Sequence, residues 1–448
     1  MVSTRAAALS LAICGAAAGA ACSEPKAPAA EKISVTDSPS RASVAPEPGA
    51  GSGSAADAGA ASGAVADAPA APPAISPAEQ LAANTFTLRL YSTLAKKTPS
   101  TNVFVSGTSL RSALGITYLG ARNATAREMA TALSFGDAST VAVHAKEEIA
   151  AWQAARGKAD LVVANRAWVE KTLSVDAHFA AMAADAYGAA PTSLDFKAAP
   201  DDGRRAINAW VAEKTSDKIV DLLPTGSIDK SSRLVVTNAI YFKGRWSLPF
   251  EASATKDEPF ETAPSKTKTT PMMHTTDSYG FGEAGDVKLL ELRYEGSDIA
   301  MMIVLPNDRA GLAKVEQKLD AATYESWTKA IKRRRVALTL PKIKLESGGS
   351  MAAPLRELGM RTAFTNTADF AGIAPEKIQI DQVVQKTFVA IDENGTEAAA
   401  ATGVVMRTTS LQVGGVADFK ADHPFLFFLH DAKKGTILFA GRVSDPKN

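Results

Sequence analysis

Cysteine is almost missing from this chain: there are two, Cys14 and Cys22, both within the first 22 residues. The remainder therefore has neither a disulfide nor a cysteine-ligated metal. An excess of one charge is missing too. Forty-nine Lys and Arg against 48 Asp and Glu leave a net charge of +1, which argues against a generally basic nucleic-acid binder. The five histidines, at 144, 178, 274, 423 and 430, form no HExxH motif and no pair four residues apart, which excludes a zincin. No GxSxG elbow or Walker loop occurs. Gly280 to Gly285 spells GxGxxG, yet a strand-like run from Val287 to Leu292 follows it, so no helix N-terminus is there to receive a pyrophosphate. Without a catalytic constellation, a metal site or a cofactor motif, an enzyme is not expected.

Aromatic residues are absent before Phe86, and the first apolar run is short. Arg5 precedes a small-residue stretch from Ala6 to Ala21, too brief for the roughly 18 to 20 residues of a membrane span, and reads like a bacterial export signal over residues 1–21. Cys22 closes this stretch after Gly19-Ala20-Ala21, as a lipoprotein cysteine does, although such signals usually carry Leu where Gly19 stands. Cleavage near Ala21 without lipidation is the alternative. The expected location is outside the cytoplasm, either secreted or lipid-anchored in the cell envelope through Cys22. Residues 22–76 are Ala, Pro, Gly and Ser with isolated charges, too poor in apolar surface to offset their ordering entropy, and read as a disordered tether.

Residues 77–448 read as one folded domain. Helical runs come first, Ala78 to Leu94 and Ser109 to Leu119, and strands later: Ile299 to Leu305, Val336 to Leu340, Val383 to Ile391, and a terminal hairpin of Phe425 to Leu429 and Thr436 to Val443 around Gly435. This order argues for an α+β fold. The basic run Lys332 to Arg335 could bind a polyanion, but it abuts a strand start and lacks interleaved aromatics, so a solvated surface turn is expected. His423 and His430 flank an apolar strand, where packing or exposure is the ordinary role.

Between the strand ending at Ile391 and another near Phe419 lies a stretch of roughly twenty residues, and long loops inside compact domains are usually functional. With period two, Thr396, Ala398, Ala400, Thr402, Val404 and Met406 share one face, and Glu397 and Arg407 the other. One face is uncharged, as a strand buried on one side requires. Yet alanine is depleted in strands. The segment is patterned for a sheet while poor in strand propensity, which suggests that it is not always in one.

Further motifs follow in order: Thr237-Asn-Ala-Ile-Tyr-Phe-Lys-Gly-Arg-Trp246, Pro249-Phe250, Asp257-Glu-Pro-Phe260, Pro271-Met-Met-His274, Leu340-Pro-Lys-Ile343, Leu358-Gly-Met360, Ala368-Asp-Phe370, Glu393 to Thr402, Ala421-Asp-His-Pro-Phe425 and Phe439-Ala-Gly-Arg-Val443. Together they resemble the serpin family over essentially all of residues 77–448. The resemblance implies three β-sheets, eight or nine helices and an exposed reactive-centre loop. It implies suicide inhibition of serine endopeptidases: loop cleavage, insertion of the severed strand and trapping of the acyl-enzyme, as a covalent complex with a monomeric inhibitor. The hinge would be Glu393, Gly395, Thr396, Glu397, Ala398, Ala399, Ala400, Ala401 and Thr402, with no bulky or proline residue from Gly395 onward. The shutter and breach that control sheet opening would include Ser106, Ser109, Asn238, Trp246 and Gln385. Gly107 stands where the family usually has Pro, and Gln385 where it has His; Gly107 is expected to loosen its helix start, while Gln385 can still donate and accept.

Family spacing from Gly395 puts the reactive bond at Thr409-Ser410, suited to a protease with a small primary pocket. Arg407-Thr408 would suit a trypsin-like enzyme, and Met406-Arg407 a chymotrypsin-like or elastase-like one. A non-inhibitory binding or carrier protein, or an inhibitor of cysteine proteases, are the other readings of the same fold.

Overall fold

Ser76 opens the first helix, its Oγ accepting from Glu79 N–H at 3.2 Å with Pro77 in the first turn. From there a computed structural model describes residues 76–154, 159–396 and 415–446. The elements run α1 (Pro77–Lys97), β1 (Val103–Val105), α2 (Gly107–Tyr118), α3 (Asn123–Leu133), α4 (Ala138–Ala154), β2 (Ala159–Glu170), α5 (Ala177–Tyr187), β3 (Thr192–Leu194), α6 (Pro200–Lys214) and β4 (Leu234–Arg245). Then follow β5 (Lys256–Ala263), β6 (Lys266–Ala284), β7 (Val287–Arg293), β8 (Ile299–Pro306), α7 (Leu312–Gln317), α8 (Ala321–Ala330), β9 (Lys332–Pro341), β10 (Ile343–Ser350) and α9 (Ala352–Glu357). Last come β11 (Gln382–Ile391), β12 (Gly395–Thr396), β13 (Ala417–Lys420), β14 (Phe425–Asp431) and β15 (Ile437–Val443).

The described strands form two hydrogen-bonded networks. One has the order β10-β11-β12-β4-β2-β3; the other runs β1-β15-β14-β8-β7-β6-β9-β13, with β5 paired to β6. The three expected sheets appear as two networks because the long β6 pairs with β5, β7 and β9 and so joins two of them. The architecture is α+β with nine α-helices among the described residues.

Strand β4 is buried on both faces, which explains its near-continuous apolar sequence. Its period-two alternation sends Ile240 and Phe242 into a core shared with Leu338, Phe427 and Ile391. Val235, Ala239 and Tyr241 point the other way, where Ile207 and Val211 of α6 cover them. Helix α2 is buried along its whole length, as a helix without a charged face must be.

The glycine motif at 280–285 is structural. Strand β6 continues to Ala284 and turns at Gly285 (φ +58°) into β7, while a Cβ on Gly282 would come within 2.8 Å of Ala330 O. The glycines let the α8–β9 connection lie against the strand. Lys332 to Arg335 correct the expected turn: they are exposed, but they begin β9 and pair in register with Phe281 to Ser278 of β6. Ladder hydrogen bonds use the backbone, so exposed side chains are compatible with a strand. His423 donates through Nε2 to Pro306 O at 2.8 Å, and His430 Nδ1 meets Tyr324 Oη at 2.8 Å, both in packed settings.

Candidate functional site

The strands β11 and β4 pair directly and in parallel from Gln382–Val235 to Phe388–Tyr241. Beyond that point they part, and the two residues of β12 fill the gap. Gly395 lies opposite Arg245, and Thr396 lies between Gly244 of β4 and Ile391 of β11, antiparallel to both. The chain makes this wedge because Gly395 has φ +151° and approaches β4 so closely that a Cβ would sit 2.1 Å from Gly244 O. Only glycine fits there. Thr396 is fully buried and its Oγ1 meets Tyr294 Oη at 2.6 Å. Burial pushes the Tyr294 phenol up, so the hydroxyl stays neutral.

Trp246 holds the turn before this wedge. Its backbone N–H donates to Asn394 O at 2.9 Å and its Nε1 to Asp392 O at 3.0 Å, while its ring stacks on Tyr294 with centroids 4.5 Å apart. Glu393 is buried and accepts from Lys342 Nζ at 2.8 Å and Thr255 Oγ1 at 2.7 Å. Burial pushes its carboxyl up, but these hydrogen bonds outweigh that and hold it below the usual carboxylate range.

Farther down the same strand pair sits a second, polar cluster. Gln385 donates from Nε2 to Ser106 O at 2.8 Å and to Asn238 Oδ1, and accepts from Ser106 N–H at 3.3 Å. Asn238 Nδ2 donates to Ser109 Oγ at 2.5 Å and to Asn165 Oδ1; Asn165 in turn donates to Ser109 O at 3.2 Å. Ser106 caps α2, its Oγ accepting from Ser109 N–H at 3.2 Å and donating to Leu438 O at 2.7 Å. This closed set of amides and hydroxyls ties β4, β11, β2, β15 and α2 together, with every bond inside the protein.

Of the residues singled out by sequence, Ser106, Ser109, Asn238 and Gln385 come together in the polar cluster, while Trp246 stands apart with Glu393, Gly395 and Thr396. The helix start is not loose as Gly107 led one to expect: the Ser106 cap is intact, and α1 packs so near that a Cβ at 107 would lie 2.3 Å from Thr87 Oγ1. A side chain there, proline included, would require α1 to move. Glu397, Ala398, Ala399, Ala400, Ala401, Thr402, Met406, Arg407, Thr409 and Ser410 lie outside the described residues, as does Cys22. Sequence reading missed Asn165, Tyr294, Lys342 and Thr255. Only Asn165 carried a local signal, an amide directly after the apolar run Leu161 to Ala164.

Comparison with known proteins agrees with this geometry. The model of the family described as Serpin (serine protease inhibitor) matches residues 81–446. A leukocyte elastase inhibitor of Bos taurus is 41% identical over 381 residues, covering 82% of this chain and 100% of the relative. An uncharacterized serpin-like protein of Thermococcus kodakarensis is 37% identical over 380 residues, 82% of this chain and 85% of that one. Among solved structures, Serpin48 of the insect Tenebrio molitor, described as a highly specific serpin, superposes with a TM-score of 0.74 at 32% identity, over 82% of this chain and 98% of its own.

Proposed function

The chain belongs to the serpin family, and we propose that it inhibits serine endopeptidases by strand insertion: the protease cleaves the loop, forms its acyl-enzyme, and is carried away as the severed segment enters the sheet between β4 and β11. The observation that carries this reading is the wedge of Gly395 and Thr396, already paired to both strands. Continued in the same register, residues 398, 400 and 402 would fall on the inward face with Thr396, opposite Phe242, Ile240 and Asn238. This is the uncharged face of the sequence pattern. Glu397 would point outward beside the exposed Lys243.

Insertion would exchange the parallel β11–β4 ladder for two antiparallel ones, which are slightly more stable per residue, and would bury new backbone and side chains. About a dozen residues at ~3.3 Å each would move the bound protease some ~40 Å. Distortion of its oxyanion hole would then stop deacylation, because those donors act only in register with the oxyanion. Thr409-Ser410 is the leading reactive bond, with Arg407 and Met406 as the alternatives. A small residue there suits an elastase-like enzyme, and the bovine relative is named for inhibiting one. The same proposal has the chain exported by residues 1–21, carried on the 22–76 tether with or without a lipid on Cys22, and acting as a monomer.

Incubation with elastase, subtilisin, trypsin and chymotrypsin in turn, followed by denaturing gels and mass spectrometry of the released peptide, tests this. A boiling-resistant adduct is expected with at least one of them, and the peptide mass identifies the cleaved bond. Cleavage by all of them without adduct would overturn the inhibitory reading in favour of a binding or carrier role. An adduct with a cysteine protease alone would redirect it to that class.

A further inference from the structure

A cleft of about 640 Å³ opens beside the hinge anchor, bounded by the end of β4, by β6 and β7, and by the start of β9. Leu248 and Ile331 give it half-buried apolar walls, and the buried Leu292 also lines it. Gly280 is part of the lining, packed so closely that a Cβ there would come within 2.7 Å of Ile331 Cγ2 and 2.9 Å of Glu291 Cβ. Two guanidinium groups stand at the rim. Arg293 is held by Glu291 at 2.9 Å. Arg333 donates from Nε to Ser278 Oγ at 3.0 Å and makes no ion pair among the described residues, so that bond fixes its position while its two terminal nitrogens keep their donors. Two arginines against one carboxylate leave the rim positive, and exposed Arg335, on the same face of β9 as Arg333, adds to that field.

Apolar walls beneath a fixed fork donor match a particular ligand chemistry. A carboxylate takes the two parallel N–H groups of a guanidinium, and an apolar body fills the volume behind it. Clefts of several hundred Å³ with a few convergent polar groups are the usual form of small-molecule sites. The geometry points to a binding site for an amphipathic organic carboxylate, anchored on Arg333 with its apolar body between Leu248 and Ile331. Trp246 also lines the cleft, so the occupant sits against the segment that holds Asp392 and Asn394. A polyanion would use the exposed charges of Lys332 to Arg335 alike. An amphipathic carboxylate distinguishes them, because Arg334 alternates to the opposite face, where its guanidinium lies 5.4 Å from the Phe281 ring centroid.

Titration calorimetry of the full chain with 2-naphthoate, and with naphthalene as the uncharged control, tests the site. The expected result is one naphthoate per chain, affinity reduced about tenfold or more by Arg333→Ala as a forked charge-assisted contact is lost, and little change with Arg334→Ala. Ser247→Trp, which fills the cleft from its exposed rim, should also reduce binding. Equal loss with Arg333→Ala and Arg334→Ala would show a diffuse basic patch and overturn the proposal. So would binding insensitive to both, or no heat with the wild-type protein.

Discussion

The strand pair β4–β11 is held in two places by opposite means. At the hinge the strands are already apart, and the gap is filled by a two-residue strand, a Trp–Tyr stack and backbone hydrogen bonds to Asp392 and Asn394. At the polar cluster the strands touch, and Gln385 and Asn238 bridge them with side-chain amides. Aromatic packing falls off gradually as surfaces slide. A hydrogen-bond network either closes or leaves buried donors orphaned, at about 1–3 kcal/mol each. If the pair opens as proposed, it would have an easy start where β12 already parts the strands and a costly middle at the amide cluster. In the register of β12, Thr402 would arrive between Asn238 and Gln385, where its hydroxyl could rejoin the amides it separates.

The largest effect that sharpens this contrast comes from a charge on the inward face of the hinge. Ala400→Glu would have to bury an unpaired carboxylate opposite Ile240 and Thr387, which costs several kcal/mol and stops insertion. Proteases should still cleave the loop, but the adduct band should disappear, whereas Glu397→Gln should keep it. An Ala400→Glu protein that still traps would break the assigned register. Next in size is Gln385→Ala. It orphans the Ser106 N–H and Asn238 Oδ1, while Ser106 O keeps the Leu110 N–H, so unfolding in urea should show a loss of about 1–3 kcal/mol. The same change should hasten loop insertion on mild heating, read as a faster shift to the heat-resistant form. If stability falls but insertion does not quicken, the cluster supports the fold without gating the sheet.

How much of this was legible depended on whether a feature is local. The strand read at Val383 to Ile391 falls within one residue of β11, and the uncharged face beginning at Thr396 was readable because period two needs no partner. Partners were not readable. Tyr294 meets Trp246 through an isolated bridge, and Lys342 reaches Glu393 from the junction between β9 and β10, so no spacing encodes either contact. Lys332 to Arg335 misled because charge density says where solvent is, while strand pairing is decided by the backbone of β6. Gly107 misled for a related reason: its conformational freedom was visible, but the approach of Thr87 that makes use of the missing side chain was not.

The smallest effect separates the two regions by pH. Glu393 titrates with a depressed pKa, whereas Ser106, Ser109, Asn165, Asn238 and Gln385 do not titrate at all. A carboxylate depressed in the folded state stabilises it above the unfolded value near ~4.3, and that contribution is lost as pH falls through the folded value. The hinge should therefore loosen in acid before the polar cluster does. Hydrogen exchange at the amides of Trp246, Phe250 and Gly395 should accelerate below about pH 4, beyond the intrinsic pH dependence of exchange, while that of Ser109 should not. Glu393→Gln should bring hinge exchange near its acid level at neutral pH, at a cost below about 1 kcal/mol because Lys342 remains partly solvated. Asp381 supplies an internal check. Burial pushes it up despite hydrogen bonds from the N–H groups of Arg233 and Leu234, so its contribution has the opposite sign, falling as pH rises. If hinge exchange in Glu393→Gln keeps the wild-type acid dependence, the anchor is the Trp246 stack, and the carboxylate is a passenger on it.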